Sequence, residues 1–305
     1  MAYRTLLELT DTFKTEADCV KHLEKLRWPK GIVCPHCAST RKIYRVSRGH
    51  GYKCADCKKP FSVRKGTIFE ESPLPLRKWF VAAWLVTTHR KGISSTQLAR
   101  EIGVTQKTAW FMLGRLRDVA EAMGESGGPL GGDKEVEVDE TYLGGKEKNK
   151  HKSKRLHVGR GMVGKQAVAG ACERNGKVKA MMVDRTTKET LHNFIHSNVV
   201  MGSKLYTDEH GGYRYLQGFD HETINHSVGE YVRDQAHTQG IESFWALLKR
   251  GYYGTFHSFT WKHLPRYLAE FETRWNLSKM TSDERLNCML ESAPGRRLTY
   301  ERLIA

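Results

Sequence analysis

Apolar positions recur with two different periods along the chain, and the change of period divides it. Residues 15–27 predict a helix: Thr15 can cap it, Glu16 and Asp18 favour its N-terminal dipole, and Val20, Leu23 and Leu26 form one stripe. Pro29-Lys30-Gly31 ends it, and residues 32–69 read as short strand-like pieces around cysteines. A helical region runs from about Leu76 to Met123, interrupted at Lys91-Gly92 and Gly103, and the Gly-rich stretch Glu125 to Lys134 reads as a linker. From Glu135 the period falls to two. Glu135 to Tyr142 alternates, with Val136, Val138 and Thr141 as candidate buried positions. Ala167 to Cys172 and Lys177 to Val183 predict a hairpin across Arg174-Asn175-Gly176, since Asn-Gly favours such turns. A helix at Lys188 to Val199, strands at Ser203 to Thr207 and His221 to His226, and helices at Gln239 to Arg250 and Lys262 to Trp275 complete the pattern.

This order (three strands with a hairpin, a crossover helix, another strand, then helices) predicts a ribonuclease-H-like α/β domain over 133–290. Residues 1–72 are expected to hold a helix and a cysteine-bound ribbon, 73–124 a helical region, and 291–305 a tail. The fold class is therefore multidomain α/β.

Charge changes the picture. Fifty Lys and Arg against 34 Asp and Glu give a formal charge of +16, which favours a polyanionic partner because each phosphate contact releases condensed counterions. No apolar run is long enough to span a bilayer, and the first residues lack a signal-like pattern, so a cytoplasmic, nucleoid-associated protein is expected. Cys34-Pro-His-Cys37 and Cys54-Ala-Asp-Cys57 are paired knuckles, not a secreted disulfide framework. Each two-residue gap turns both thiolates toward one ion, so the four cysteines predict a closed, structural Zn²⁺ site with His36 as a non-ligand. Cations including Arg41, Lys42, Arg45, Arg64 and Lys65 crowd around them and suit DNA backbone.

Ser94 to Asp118 has the pattern of a helix-turn-helix: Leu98, Ala99 and Ile102 form the first stripe, and Gly103 makes the turn. Ala109, Trp110, Met112, Leu113 and Leu116 form the second stripe. In that arrangement Thr105, Gln106, Lys107 and Thr108 face a major groove; plain helical packing would give the same stripes. Two apolar strands end at acids, Asp139-Glu140 and Asp208-Glu209, with strand alternation deciding which of each pair points inward. Glu242 lies on an amphipathic helix, and Lys249 follows on almost the same face nearly two turns later. Acids delivered by two strand ends and a helix suit two hard cations about 4 Å apart, acting on a phosphodiester. Solvated acids on ordinary elements are the bland alternative. Gly144 to Lys165 carries eight Lys or Arg, among them Lys150, Lys152, Lys154 and Arg155, against one acid, and reads as a loop gripping DNA backbone.

Taken together, these stretches resemble the IS1595 insertion-sequence transposases of the ISXO2-like type over nearly the whole chain. The resemblance rests on Leu26-Arg-Trp-Pro29 before the knuckles, Lys65-Gly-Thr-Ile-Phe69, and Val138-Asp-Glu-Thr-Tyr-Leu-Gly-Gly-Lys146. It continues through Tyr206-Thr-Asp208, Ile241-Glu-Ser-Phe-Trp245 with Leu248-Lys-Arg250, and Glu270-Phe271 to Arg274-Trp-Asn276. It implies a DDE-type transposase with Mg²⁺ or Mn²⁺ as cofactor, cutting element ends and joining them to target DNA. Asp139 and Asp208 match the family's two aspartates. Many members carry Asn where this chain has Gln239, one turn before Glu242 on the same face; the charged Glu242 is the expected third ligand and Gln239 an outer or substitute one. Asp139 would bridge two ions, with Asp208 and Glu242 completing one sphere each. Handling two DNA ends implies a homo-oligomer on DNA. The rival expectations are a nuclease of the same fold without strand transfer, and a catalytically inactive regulator using only the ribbon and helices.

Overall fold

The computed structural model describes residues 3–46, 51–145, 147–156, 163–224, 238–258 and 260–304. The chain forms two units, Met1–Met123 with Leu277–Ala305, and Gly124–Asn276.

The first unit opens with α1 (Leu6–Thr12) and α2 (Glu16–Arg27), each begun by a reciprocal capping box: Thr5 with Glu8, and Thr15 with Asp18. α1 escapes the sequence pattern, which is too short there to show a period. A three-stranded antiparallel sheet follows: β1 (Ile43–Val46), β2 (Gly51–Cys54) and β3 (Pro60–Ser62) in that order. Helices α3 (Leu76–Thr88), α4 (Ser95–Ile102) and α5 (Gln106–Ser126) come next. Gly103 closes α4 in the left-handed region at φ 62°, a conformation that costs a residue with a Cβ more.

The sequence pattern predicts a second domain that runs to 290 and a tail at 291–305. The structure differs. α9 (Ser282–Glu291) buries Leu286, Met289 and Leu290 in the core of the first unit, alongside Phe80, Leu85 and Leu23. The terminal helix α10 (Tyr300–Ile304) seats Leu303 where Gly114 of α5 leaves room; a Cβ there would lie 2.7 Å from its methyl. An apolar stripe does not state which core it completes, so the return of the chain was invisible in the pattern. The expected linker also differs: α5 extends through Ser126, and Leu130 makes a parallel bridge to Val199.

The second unit is a five-stranded sheet in the order β6-β5-β4-β7-β8: β4 (Val136–Leu143), β5 (Gln166–Glu173), β6 (Val178–Val183), β7 (Lys204–Thr207) and β8 (Asp220–Thr223). β4, β5 and β6 are antiparallel neighbours, whereas β7 runs parallel to β4 and β8 parallel to β7. Of the predicted His221 to His226 strand, Asn225 and His226 lie outside the described residues. Alternation sorts the side chains. Val136, Val138, Ala167, Ala169 and Ala171 face α6 (Lys188–Asn198) through Leu191, Phe194 and Ile195. Leu143, Val168 and Cys172 face α7 (Gln239–Gly251) and α8 (Leu264–Asn276). Edge strand β6 does not expose its backbone: Ala180 N–H donates to Glu272 at 2.7 Å and Val178 N–H to Asn276 at 2.8 Å. Glu272 and Asn276, within the family-like Glu270 to Asn276 stretch, therefore have a structural task.

Candidate active site

The ribbon holds its four thiols together. All four Sγ atoms lie within 4.8 Å of one another, with Cys34–Cys57 and Cys37–Cys54 both at 3.7 Å. A tetrahedral ion with Zn–S of about 2.3 Å demands S···S edges of about 3.8 Å, so this donor set fits Zn²⁺. The two knuckles are built alike. Cys34 N–H donates to Ser39 O and Cys54 N–H to Lys59 O, while Ala38 and Lys58 take positive φ of 56° and 60°. His36 instead lies against Pro60 O at 3.3 Å, outside the cluster. Two of the surrounding cations are spent inside the unit. Arg64 binds the carbonyls of Ser72 and Leu74 and pairs with Glu16, and Lys65 pairs with Glu70. Arg48 lies outside the described residues.

Thr105 precedes α5 and caps it, accepting Thr108 N–H at 3.2 Å. Thr105, Gln106 and Lys107 are exposed at the N-terminus of α5, and Thr108 is half-buried. Gln106 reaches back to Ser95 at 2.8 Å, tying the two helices across the turn, and Lys107 Nζ lies 5.0 Å over the Tyr300 ring.

In the second unit, β4 and β7 pair in parallel with Glu137 opposite Tyr206. The same register two residues on sets Asp139 level with Asp208. Strand alternation decides the question that the sequence left open. Asp139 turns toward α7, where Trp245 Nε1–H donates to its Oδ2 at 2.9 Å. Glu140 turns the other way and accepts the Tyr213 hydroxyl at 2.6 Å, with His210 Nδ1 3.8 Å from its other oxygen. Asp208 accepts the His210 backbone N–H at 3.0 Å. Burial, with the neighbouring Glu140 and Asp208 charges, pushes Asp139 up to about 7. Burial likewise raises Glu140, and it raises Tyr213 well above the phenol range. Carboxylates crowded in this way favour a divalent cation, which relieves their repulsion and accepts hard oxygen donors.

Helix α7 is fixed to this strand by a second acid. Glu137 is buried, and its Oε2 accepts the Ile241 N–H at 2.9 Å, placing negative charge at the helix N-terminus. Gly240 makes the approach possible, since a Cβ there would lie 2.8 Å from that oxygen. Glu242 and Gln239 both lie on the exposed face of α7, and Thr238 Oγ1 donates to Glu242 at 3.2 Å. Among the described residues, Asp139, Asp208 and Glu242 do not all three come within 4.8 Å of one another. Lys249 is half-buried near the end of α7. In the basic loop, Lys150 pairs with Glu147, Arg155 donates to Lys150 O at 3.0 Å, and Lys152 and Lys154 are exposed. Lys146 and Arg160 of that loop lie outside the described residues. The sequence pattern does not mark Glu137, Trp245, Tyr213 or His210 as neighbours of these acids. Gly170, a glycine inside an alternating strand opposite Asp139, was the available signal for Trp245; nothing local marked the others.

Residues 129–276 match the ISXO2-like transposase domain, and residues 14–60 match the transposase zinc-ribbon domain. A protein of Halobacterium salinarum, described as an uncharacterized protein in transposable element ISH50, is 30% identical over 299 residues. The match spans 92% of this chain and 98% of that relative. On these matches, with the paired knuckles and the acid-ended strands in place, the chain belongs to the IS1595 family of ISXO2-like transposases.

Proposed function

We propose that this transposase binds the ends of its element, cuts the DNA and joins the freed 3′-hydroxyls to target DNA. The observation that carries the reading is the pair Asp139, in β4, and Asp208, directly after its parallel neighbour β7, with Asp139 pushed up to about 7 by burial and by its acidic neighbours. The sheet order, three antiparallel strands followed by two parallel to β4, supports a ribonuclease-H-like core. Asp139 and Asp208 would hold Mg²⁺ or Mn²⁺, with Glu242 as third ligand and Gln239 beside it on the same helical face. Bound divalent ions supply activation of the attacking oxygen and stabilisation of the leaving one.

The chain's own groups do the rest. Trp245 orients Asp139, and Glu137 fixes the helix that carries Glu242. Lys249 and the loop cations Lys150, Lys152, Lys154 and Arg155 bind phosphates. Thr105, Gln106, Lys107 and Thr108 at the start of α5 read DNA, and the zinc ribbon adds backbone contacts. Because Glu242 stands on an exposed face, its approach to the two aspartates would accompany DNA and metal binding. Two element ends call for at least two copies of the chain on DNA.

The test is incubation of purified protein and Mg²⁺ with labelled element ends and a supercoiled target, with Asp139→Asn in parallel. End cleavage with joined product, lost in the variant, is the expected result. Cleavage without joining would establish a nuclease instead. Specific binding without any metal-dependent cleavage would leave a regulator.

A further inference from the structure

The geometry assigns Trp245 as a positioning residue for Asp139, with Gly170 as the residue that admits it. This inference rests on the active-site reading above and deepens it.

Three observations converge. First, the indole Nε1–H donates to Asp139 Oδ2 at 2.9 Å, so one carboxylate oxygen is held by the helix. Second, the ring occupies the space over β5 where Gly170 stands opposite Asp139. A Cβ on Gly170 would lie 2.5 Å and 2.6 Å from Trp245 carbons and 3.0 Å from Ile241, so any larger residue evicts the ring. Third, Trp245 is rigidly seated. It is 4% exposed and packs against Phe244 at 5.2 Å between ring centroids, on a helix already pinned at its N-terminus by Glu137. A buried indole normally finds an acceptor for its N–H. Here the acceptor is the acid that the chemistry needs, and Trp245 follows Glu242 by one turn of the same helix. The bond therefore couples the strand acid to the helix acid through one side chain. Groups that hydrogen-bond a metal's ligands set ligand orientation, and their removal typically weakens binding about 10- to 100-fold.

The experiment uses the full-length, zinc-loaded protein. Mn²⁺ is titrated calorimetrically into wild type, Trp245→Phe, Gly170→Ala and Asp139→Asn, and each melting temperature is taken without added divalent ion. Trp245→Phe keeps an aromatic ring at the position and deletes the donor together with part of the indole; Gly170→Ala keeps the donor and displaces it. Both are expected to weaken Mn²⁺ binding about 10- to 100-fold. End cleavage by Trp245→Phe is expected to recover at raised Mn²⁺, whereas Asp139→Asn stays inactive. A purely structural role would lower the melting temperature and leave Mn²⁺ affinity untouched. Wild-type Mn²⁺ affinity in Trp245→Phe overturns the positioning role alone, while a wild type that binds no Mn²⁺ beyond the ribbon overturns the site reading with it. Should neither variant fold, the Trp245 indole N–H resonance of the wild type supplies the test: Mg²⁺ is expected to shift it, and an unmoved resonance overturns the inference.

Discussion

Asp139→Asn is expected to stabilise the metal-free protein at neutral and alkaline pH while abolishing its chemistry. Asp139 ionises at about 7 in the folded chain against an ordinary 3.8, because burial and the Glu140 and Asp208 charges disfavour its carboxylate. The folded state therefore holds a proton that the unfolded chain has lost between these values. Stability falls as pH rises from about 4 to about 7, and the full penalty persists above. At about 1.36 kcal/mol per pH unit the displacement corresponds to about 4 kcal/mol. The side chain is partly open to water, whose screening leaves about 2 kcal/mol as the working figure. Asparagine keeps an oxygen for the Trp245 indole and removes the charge. For a unit of this size the gain amounts to about 4–8 °C in melting temperature. The assay is thermal unfolding of wild type and variant at pH 8 and pH 4.5 without added divalent ion, repeated at pH 8 with Mg²⁺. The variant should melt higher at pH 8, the difference should shrink at pH 4.5, and Mg²⁺ should raise the wild type alone. A variant that melts no higher than wild type at pH 8 would refute the electrostatic reasoning.

The ribbon, helix α7 and the start of α5 each yield a further test. Cys54→Ser should reduce bound zinc from one ion per chain to near none, measured by colorimetric release, because Cys54 is fully buried in a four-thiolate set with no spare ligand. Phe244→Ala should cost about 3–5 kcal/mol, read from denaturant unfolding. Its ring is fully buried and sits edge-on to Trp275 at 5.8 Å. Lys107→Ala should weaken DNA binding and lower the slope of log affinity against log salt by about one, in anisotropy titrations across salt concentrations. An unchanged slope would remove Lys107 from the phosphate contacts.

What the sequence determined by itself is local. Cysteine spacing determines a knuckle because two residues between thiolates set the turn, and the structure brings those four sulfurs together. Capping at Thr15, the left-handed Gly103 and the Asn175 turn are likewise set by near neighbours. Alternation in β4 determined that Asp139 and Glu140 face opposite ways, but not which of them meets the helix. That required β7 to lie parallel to β4 at a register that levels Asp139 with Asp208, and α7 to dock from the other face. Glu137 looked like one more charge in a polar-apolar alternation; only the arrival of α7, more than a hundred residues later, makes it a helix anchor. Trp245 read as an apolar stripe residue, and only the absent side chain of Gly170 across the sheet lets its N–H reach Asp139. The stripe of α9 is silent about which unit it joins for the same reason. A hydrophobic stripe specifies that it must be buried, whereas chain return and shape complementarity, properties of the assembled core, decide against what.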